Sequence, residues 1–546
     1  MTLEAPAGAG RRDAIDRLTF LGQRGGLLAI VLGLTASFFL FGYFVIYWRN
    51  ADMDFMIVYN ALLLNDGRPQ EYFDHPSYFT ILSVAAFFRL WHALGLLDAY
   101  ALSAIPSAAN VTAFDAAMTQ AVRAGRLVAW LTGTGLVLCF AGLIRRLVRD
   151  WRIALLATFA FAFSGGVAVH IRILRSEMIA ASLVTFALMI LMMVGRRARA
   201  WRPVGLACAA ALCVLGLENK VQVILLIAAL PALAPAFGGK GGASTGFWRT
   251  RPSWLAALLA ILAAALMLKA ALPILDAGFD AANADAAGLR PLIERYGVYQ
   301  IALLAWIGAG MLAFAGLWRV TASETVAAVA AVAAGAAVGL TALDLQYNIG
   351  DVVAVLNPIE KMLTFATLSA AETSSWRSAL DIFAHNLGSV LRRYSFFLYT
   401  SARPTVFLIW LIWPGIIHAW LTGKKQVALQ ATLLMLVATF IDTLGVQRGL
   451  KSEYFILTDP LMILAGAVLL QSLDRQPRGG FAVATAVTLF YAHILISQAE
   501  PIKHVMKRSG PDYICDWNQI YEPKLPMPWC AEPPTGPASR TTAGAG

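Results

Sequence analysis

Long apolar runs decide what this chain can become. Stretches of roughly 16 to 22 residues with few or no charges recur from residue 27 almost to residue 497, the length a helix needs to cross a hydrocarbon core. The chain is 59% hydrophobic and 14% charged, where an ordinary soluble domain is about a quarter charged. An all-α polytopic membrane protein follows. The first run is long and no A-x-A-like cleavage site follows it, so it reads as a span and not as a cleaved signal. The longest polar stretches are loops and a tail, which leaves no room for a separate soluble domain.

The formal net charge is +11, but its placement points to topology and not to nucleic acid. Arg11, Arg12, Arg17 and Arg24 precede the first run. Arg145, Arg146, Arg149 and Arg152 share one tight loop, and Arg196, Arg197, Arg199 and Arg202 share another. Lys424, Lys425, Arg475 and Arg478 flank later runs. Clusters of this kind mark short cytoplasmic loops.

With those loops inside, the chain divides into a cytoplasmic segment 1–26, a transmembrane module 27–341, an external loop 342–396, further spans over 397–497 and an external tail 498–546. The first span is about 27–48, and an external loop runs over 49–121. The apolar stretch Ser77 to Leu97 is interrupted by Arg89 and His92. If it crossed, both Arg clusters would fall outside, so it reads as a helix lying in the interface. Spans then follow near 123–143, 153–169, 178–195, 203–217, 221–237, 253–272, 298–317 and 321–341. Later ones lie near 397–421, 426–445, 454–472 and 479–497, giving about thirteen spans with the N-terminus inside and the C-terminus outside. Residues 238–246 form a Gly/Ser linker, and interfacial helices are expected within 342–396. No internal repeat is visible. Cys139, Cys208 and Cys213 lie within apolar runs and read as packing residues. Cys515 and Cys530 are the only pair in a loop, so an external tail implies a disulfide.

The chemistry concentrates beside the first span. The stretch RNADMDFMIVYNALLLNDGRPQEYFDHPSYFTIL carries Asp52 and Asp54, then His75. Further on, Arg172 and Arg175 (HIRILRSE), Lys220 (ENK), and Arg448 with Lys451 (QRGLKSEYF) lie in short loops that the topology places outside, where positive charge is normally shed. A phosphate or pyrophosphate at the membrane surface would retain it. The alternative is pairing with Glu177, Glu218 and Glu453 or with lipid headgroups. Asp52 or Asp54 could equally cap a helix starting near Phe55, and Glu177 could complement the dipole of the span after it. His75-Pro76 could be a plain helix start, and His170 an interfacial histidine in contact with water.

Taken in order, the acidic pair, ALLLNDG, FDHPSYF and AVRAGRLVAWLTGTGLVLCFAGLIRR resemble the integral-membrane GT-C glycosyltransferases. The likeness is to the group of dolichyl- or polyprenyl-phosphate-sugar-dependent protein mannosyltransferases and lipid A aminoarabinose transferases. HIRILRSEMIAASLVTFALMIL, GLENKVQVILL and SEYFILTDPLMILAGAVLL agree in order, so the likeness spans most of 27–320 and again 445–475. The family usually has an Asp-Glu pair; here it is Asp-Met-Asp, and a basic residue of many members is His75.

The resemblance implies a GT-C-like fold in the cytoplasmic (inner) membrane with its site on the extracytoplasmic face. It implies transfer of a sugar from a polyprenyl-phosphate donor to a lipid, glycan or protein acceptor. Asp54 or Asp52 would be the general base, Asp54 preferred for its nearness to the helix start. Glu177 would orient the acceptor or hold a divalent cation (Mg or Mn) if one is used. Arg172, Arg175, Lys220, Arg448 and Lys451, with His75 and Tyr454, would hold the donor. A transporter or lipid-linked sugar flippase is the other reading; transporters place ionisable groups deep within spans, whereas here Lys269 and Asp442 are among the few exceptions.

Overall fold

The structure is a computed structural model that describes residues 9–68, 77–194, 201–217, 219–237, 328–339, 376–395, 406–445 and 452–473, with isolated positions in 480–495 and 514–530. The linker 238–246, the expected spans 253–272 and 298–317, His75, Glu218, Arg448 and Lys451 lie outside the described residues.

The described residues form helices and turns and contain no strand. In lipid this is the economical solution, because a helix satisfies its backbone N–H and C=O groups within itself. Four helical segments among the described residues are long and apolar enough to cross a membrane: Gly22–Tyr43, Val111–Leu147, Glu177–Val194 and Lys425–Gly445. The first comprises the end of α1 (Ala9–Phe38) and a π turn, Phe39–Tyr43.

A 3-10 turn, Tyr47–Asn50, and a π turn, Ala51–Phe55, then lead into α2 (Met56–Asn65). Buried residues cover α2 on all sides from Met56 to Leu63. It ends at Gly67, whose φ of +69° suits a residue without a Cβ. The Arg68 and Gly67 N–H groups then close back on the carbonyls of Leu63 and Leu64 at 3.0 and 3.2 Å. Helix α3 (Tyr78–Ala93) buries Thr80, Ile81, Val84, Ala85 and Phe88 against α2 and α4 and leaves Leu90 exposed. It occupies the stretch read as an interfacial helix.

Helix α4 (Val111–Leu147) begins at Asn110, whose side chain accepts from the Ala113 N–H at 3.2 Å. It starts some three turns before the apolar run, because Phe114, Met118, Ala121 and Val122 already pack into a core with α2 and α3. The run expected as one span over 153–169 is instead broken into α5 (Trp151–Ala162) and α6 (Gly165–His170). Ser164 ends the first and caps the second, its Oγ accepting from the Val167 N–H at 3.3 Å. Helices α7 (Glu177–Val194), α8 (Arg202–Leu217) and α9 (Ile224–Phe237) follow the expected boundaries closely. The later described helices are α10 (Ala328–Gly339), α11 (Trp376–Ser395), α12 (Val406–Leu421), α13 (Lys425–Gly445) and α14 (Asp459–Leu473).

Two large apolar cores form among the described residues. The larger joins α1 and α4 to α14. The smaller caps one end of α4 and gathers Phe55, Tyr59, Val84, Phe88, Phe114 and Met118 with Ile514, Leu525 and Met527 of the tail. Cys515 and Cys530 are disulfide-bonded there, and the Lys524 N–H donates to the Tyr59 hydroxyl at 3.3 Å. Cys213 is buried as expected, while Cys139 and Cys208 face outward.

Candidate functional site

The polar groups of the first loop meet those of the loop between α6 and α7. Asp54 is fully buried; its Oδ2 accepts from Arg126 Nε at 2.8 Å and forms an ion pair with Nη2 at the same distance. Its Oδ1 accepts from the Leu174 N–H at 2.5 Å. Arg126 also donates to the carbonyls of Gly42 and Ile46, both at 3.4 Å, and to that of Val45. One guanidinium thus ties the end of the first span, the acidic turn and α4 together. Gly125 makes room for the arrangement, since a Cβ there would lie 2.6 Å from Leu174 Cδ1. Asp54 is therefore no helix cap; Phe55 precedes α2 and α2 has no side-chain cap. Asp52 lies in the same π turn.

Glu177 is the first residue of α7 and is buried. Lys220 Nζ lies 2.9 Å and Arg175 Nη2 3.2 Å from its Oε1. Its Oε2 is 3.3 Å from Arg175 Nε and 3.6 Å from His170 Nε2. His170 Nδ1 lies 2.6 Å from the Gly166 carbonyl, a contact in which Nδ1 carries the proton and Nε2 faces the carboxylate. His170 is buried, against the expectation of an interfacial histidine. Arg175 reaches onward to Glu453 at 2.7 Å. Burial opposes the charge of Arg175, but Glu177 and Glu453 outweigh it and hold the guanidinium above its ordinary pKa.

Close backbone approach delivers Glu453. A Cβ on Gly166 would lie 2.6 Å from the Ile456 backbone nitrogen, so only glycine lets α6 seat against the turn Ser452–Leu457. That turn carries Glu453 and Tyr454, and Tyr454 is close enough to contribute to the field at Arg175. On the other side, Asn219 donates to the Ser176 carbonyl at 2.7 Å, and its own carbonyl accepts from Ser77 at 3.1 Å. Ser77 takes a φ of +52°, the one non-glycine with positive φ among the described residues. Lys220 is placed by this turn.

Arg172 is buried beside the same loop, donates to Ser37 Oγ and lies 5.4 Å from the centroid of the Phe41 ring. Burial pushes its guanidinium down to about 9. A cleft between α3, α4 and α7, lined by Thr80, Ser83, Thr132, His170, Arg175 and Met178, opens onto the Glu177 cluster.

The sequence-predicted residues therefore divide. Glu177, Arg175 and Lys220 are brought together, with Glu453 as a second carboxylate, and Arg172 lies in the same loop. Asp54 stands apart on Arg126, joined to that loop through Leu174. Arg126 and His170 were not read as site residues; a lone arginine or histidine at the end of an apolar run is the signal that marks them. Glu177 does not fit a divalent cation, because its two oxygens already lie against an ammonium and a guanidinium. No group of three or more His, Cys, Asp or Glu suited to a metal occurs among the described residues.

No protein-family model, no curated protein and no solved structure matches the chain.

Proposed function

We propose that the chain is an inverting, GT-C-like glycosyltransferase that takes a sugar from a polyprenyl-phosphate donor at the outer face of the cytoplasmic membrane. The observation that carries this reading is the Glu177–Arg175–Lys220–Glu453 cluster at the end of α7, beside the α3/α4/α7 cleft. Arg126, the neighbouring polar anchor, is nineteen residues from Arg145 along α4, about 28 Å at 1.5 Å per residue. That is close to one hydrocarbon thickness. Arg145 and Arg146 at one end of α4 then mark the cytoplasmic boundary, and the cluster belongs at the opposite one. The tail disulfide supports an external C-terminus, in line with a topology of about thirteen spans.

In the transfer, an acceptor hydroxyl attacks the anomeric carbon as the bond from that carbon to the donor phosphate breaks. The hydroxyl proton passes to a carboxylate, and polyprenyl phosphate leaves with the electron pair. Arg172, Arg175 and Lys220 outnumber Glu177 and Glu453 by one positive charge, which favours the leaving phosphate. His75, Arg448, Lys451 and Tyr454 complete the donor-holding set. Glu177 orients Arg175 and Lys220.

The base is assigned to Asp52. Asp54 is enclosed, with Oδ2 committed to the Arg126 guanidinium and Oδ1 to the Leu174 N–H; it acts as the positioning residue of the turn. This reverses the preference drawn from the helix start. The direct test is release of polyprenyl phosphate from a lipid-linked sugar by the purified protein.

A further inference from the structure

The geometry points to a binding site for the headgroup of an amine-bearing phospholipid, of the phosphatidylethanolamine class, on the outer half of α4. It is independent of the glycosyltransferase reading. Asp115, Thr119 and Arg123 succeed one another at four-residue steps and line an open cleft with Tyr43, Trp91 and Gln120. The residues of α4 that line the cleft of the Glu177 cluster, from Val128 to Leu136, point about half a turn away around the helix at 100° per residue. The two clefts lie on opposite sides of α4.

Arg123 forms the deep end. Its guanidinium lies 5.6 Å from the centroid of the Tyr43 ring and 5.4 Å from that of Phe44. Its Nε is buried without a hydrogen-bond partner, and no carboxylate pairs with it among the described residues. A cation lying against two adjacent rings with a donor left over suits a phosphate. Asp115 forms the outer end. Tyr47 donates to its Oδ1 at 2.5 Å, and burial and Asp115 together raise the Tyr47 pKa, so the hydroxyl stays a donor. No basic group pairs with Asp115 among the described residues, which leaves Oδ2 to accept from an ammonium. Eight residues separate the two, about 12 Å along the axis, and a helical side chain leans toward the N-terminus, so Arg123 points toward Asp115.

Beneath Arg123 the surface turns apolar. Leu131 and Leu138, 48% and 40% exposed, lie within about 80° of Arg123 around the helix. On and just after the first span, Leu40 and Phe44 are 71% and 64% exposed. Read outward along α4, the order is apolar face, cation, carboxylate. A phospholipid with a primary amine presents acyl chains, phosphate and ammonium in that order. A free phosphate or an anionic lipid gains from Arg123 but meets Asp115 as a like charge, and a trimethylammonium has no N–H for Oδ2.

Native mass spectrometry of the full-length protein, titrated with dioleoyl phosphatidylethanolamine, phosphatidylcholine or phosphatidylglycerol, tests the site. Phosphatidylethanolamine is expected to be retained on the order of tenfold or more better than the other two, the effect of one or two charge-assisted hydrogen bonds. Asp115→Asn, which keeps an acceptor for Tyr47, should bring phosphatidylethanolamine down to parity with phosphatidylcholine. Thr119→Trp, which fills the cleft and touches neither charge, should do the same, and Arg123→Gln should weaken retention of all three. Equal retention of the three lipids by the native protein overturns the site, as does a preference for phosphatidylglycerol. So does an ethanolamine preference that survives Asp115→Asn and Thr119→Trp.

Discussion

Arg126 and Asp54, seventy-two residues apart in sequence, meet at 2.8 Å with both side chains fully enclosed. The pair fixes the acidic turn after the first span to the middle of α4. Removing one partner leaves a buried charge without compensation, which costs about 3–5 kcal/mol. Arg126→Met and Asp54→Ala should therefore each lower the unfolding temperature in detergent sharply, and the double variant Asp54→Leu/Arg126→Met should recover much of the loss. Single variants as stable as the native protein would mean that the turn is not held by this bond.

Gly166 is the second joint. A methyl group there meets the Ile456 backbone at 2.6 to 2.8 Å, and overpacking of this kind costs about 1–3 kcal/mol. Gly166→Ala should destabilise the protein by that amount and separate Glu453 from Arg175. Infrared difference spectra or crosslinking between positions 175 and 453 would register the separation. A Gly166→Ala protein with native stability and an intact crosslink contradicts the seating of α6 on the turn.

The tail is held by Cys515–Cys530, fifteen residues apart in sequence. Closing a loop of that length is worth about 3 kcal/mol in the chain-entropy model. Non-reduced peptide mapping of protein taken from its native membrane should recover the two cysteines as one linked species. Cys515→Ser should loosen the cap formed by Tyr59, Ile514, Leu525 and Met527. Recovery of both thiols free places the tail in a reducing compartment and removes a support for the topology.

Sidedness has its own measurement. Ser107 precedes α4 at the end remote from Arg145, and Ala198 belongs to the Arg-rich stretch that follows α7 in sequence. In a background lacking the other free cysteines, a membrane-impermeant thiol reagent added from outside should modify Ser107→Cys and not Ala198→Cys. Modification of Ala198→Cys alone, or of both, inverts or breaks the proposed arrangement.

The sequence showed where helices run and little of how they meet. Helices α7, α8 and α13 lie within a residue or so of the apolar runs 178–195, 203–217 and 426–445, because lipid contact requires long uncharged stretches. The start of α4 was hidden: Phe114, Met118 and Val122 pack on the cap, a tertiary contact that hydropathy does not report. The break at Ser164 was hidden too, since SGGVAV is as apolar as a span and only the Gly166–Ile456 approach explains it. Lys220 stood out because positive charge is unusual in a short loop expected outside, Glu177 was one of its expected pairing partners, and the two do meet at 2.9 Å. Their partner Glu453 is far away in sequence, and no local pattern linked it to Arg175. The partnership of Asp54 with Arg126 was equally unreadable, and it is the contact on which the proposed base moves from Asp54 to Asp52.

Sugar transfer itself is measured by one reconstitution. Purified protein in liposomes is supplied with polyprenyl-phosphate-linked sugars and a crude envelope acceptor fraction, and both released polyprenyl phosphate and sugar-bearing product are followed. Stoichiometric release and transfer are expected, lowered roughly 10²–10⁴-fold by Asp52→Asn with donor binding nearly intact. Movement of the intact lipid-linked sugar across the bilayer without release, unchanged by Asp52→Asn, would contradict sugar transfer and make the chain a flippase.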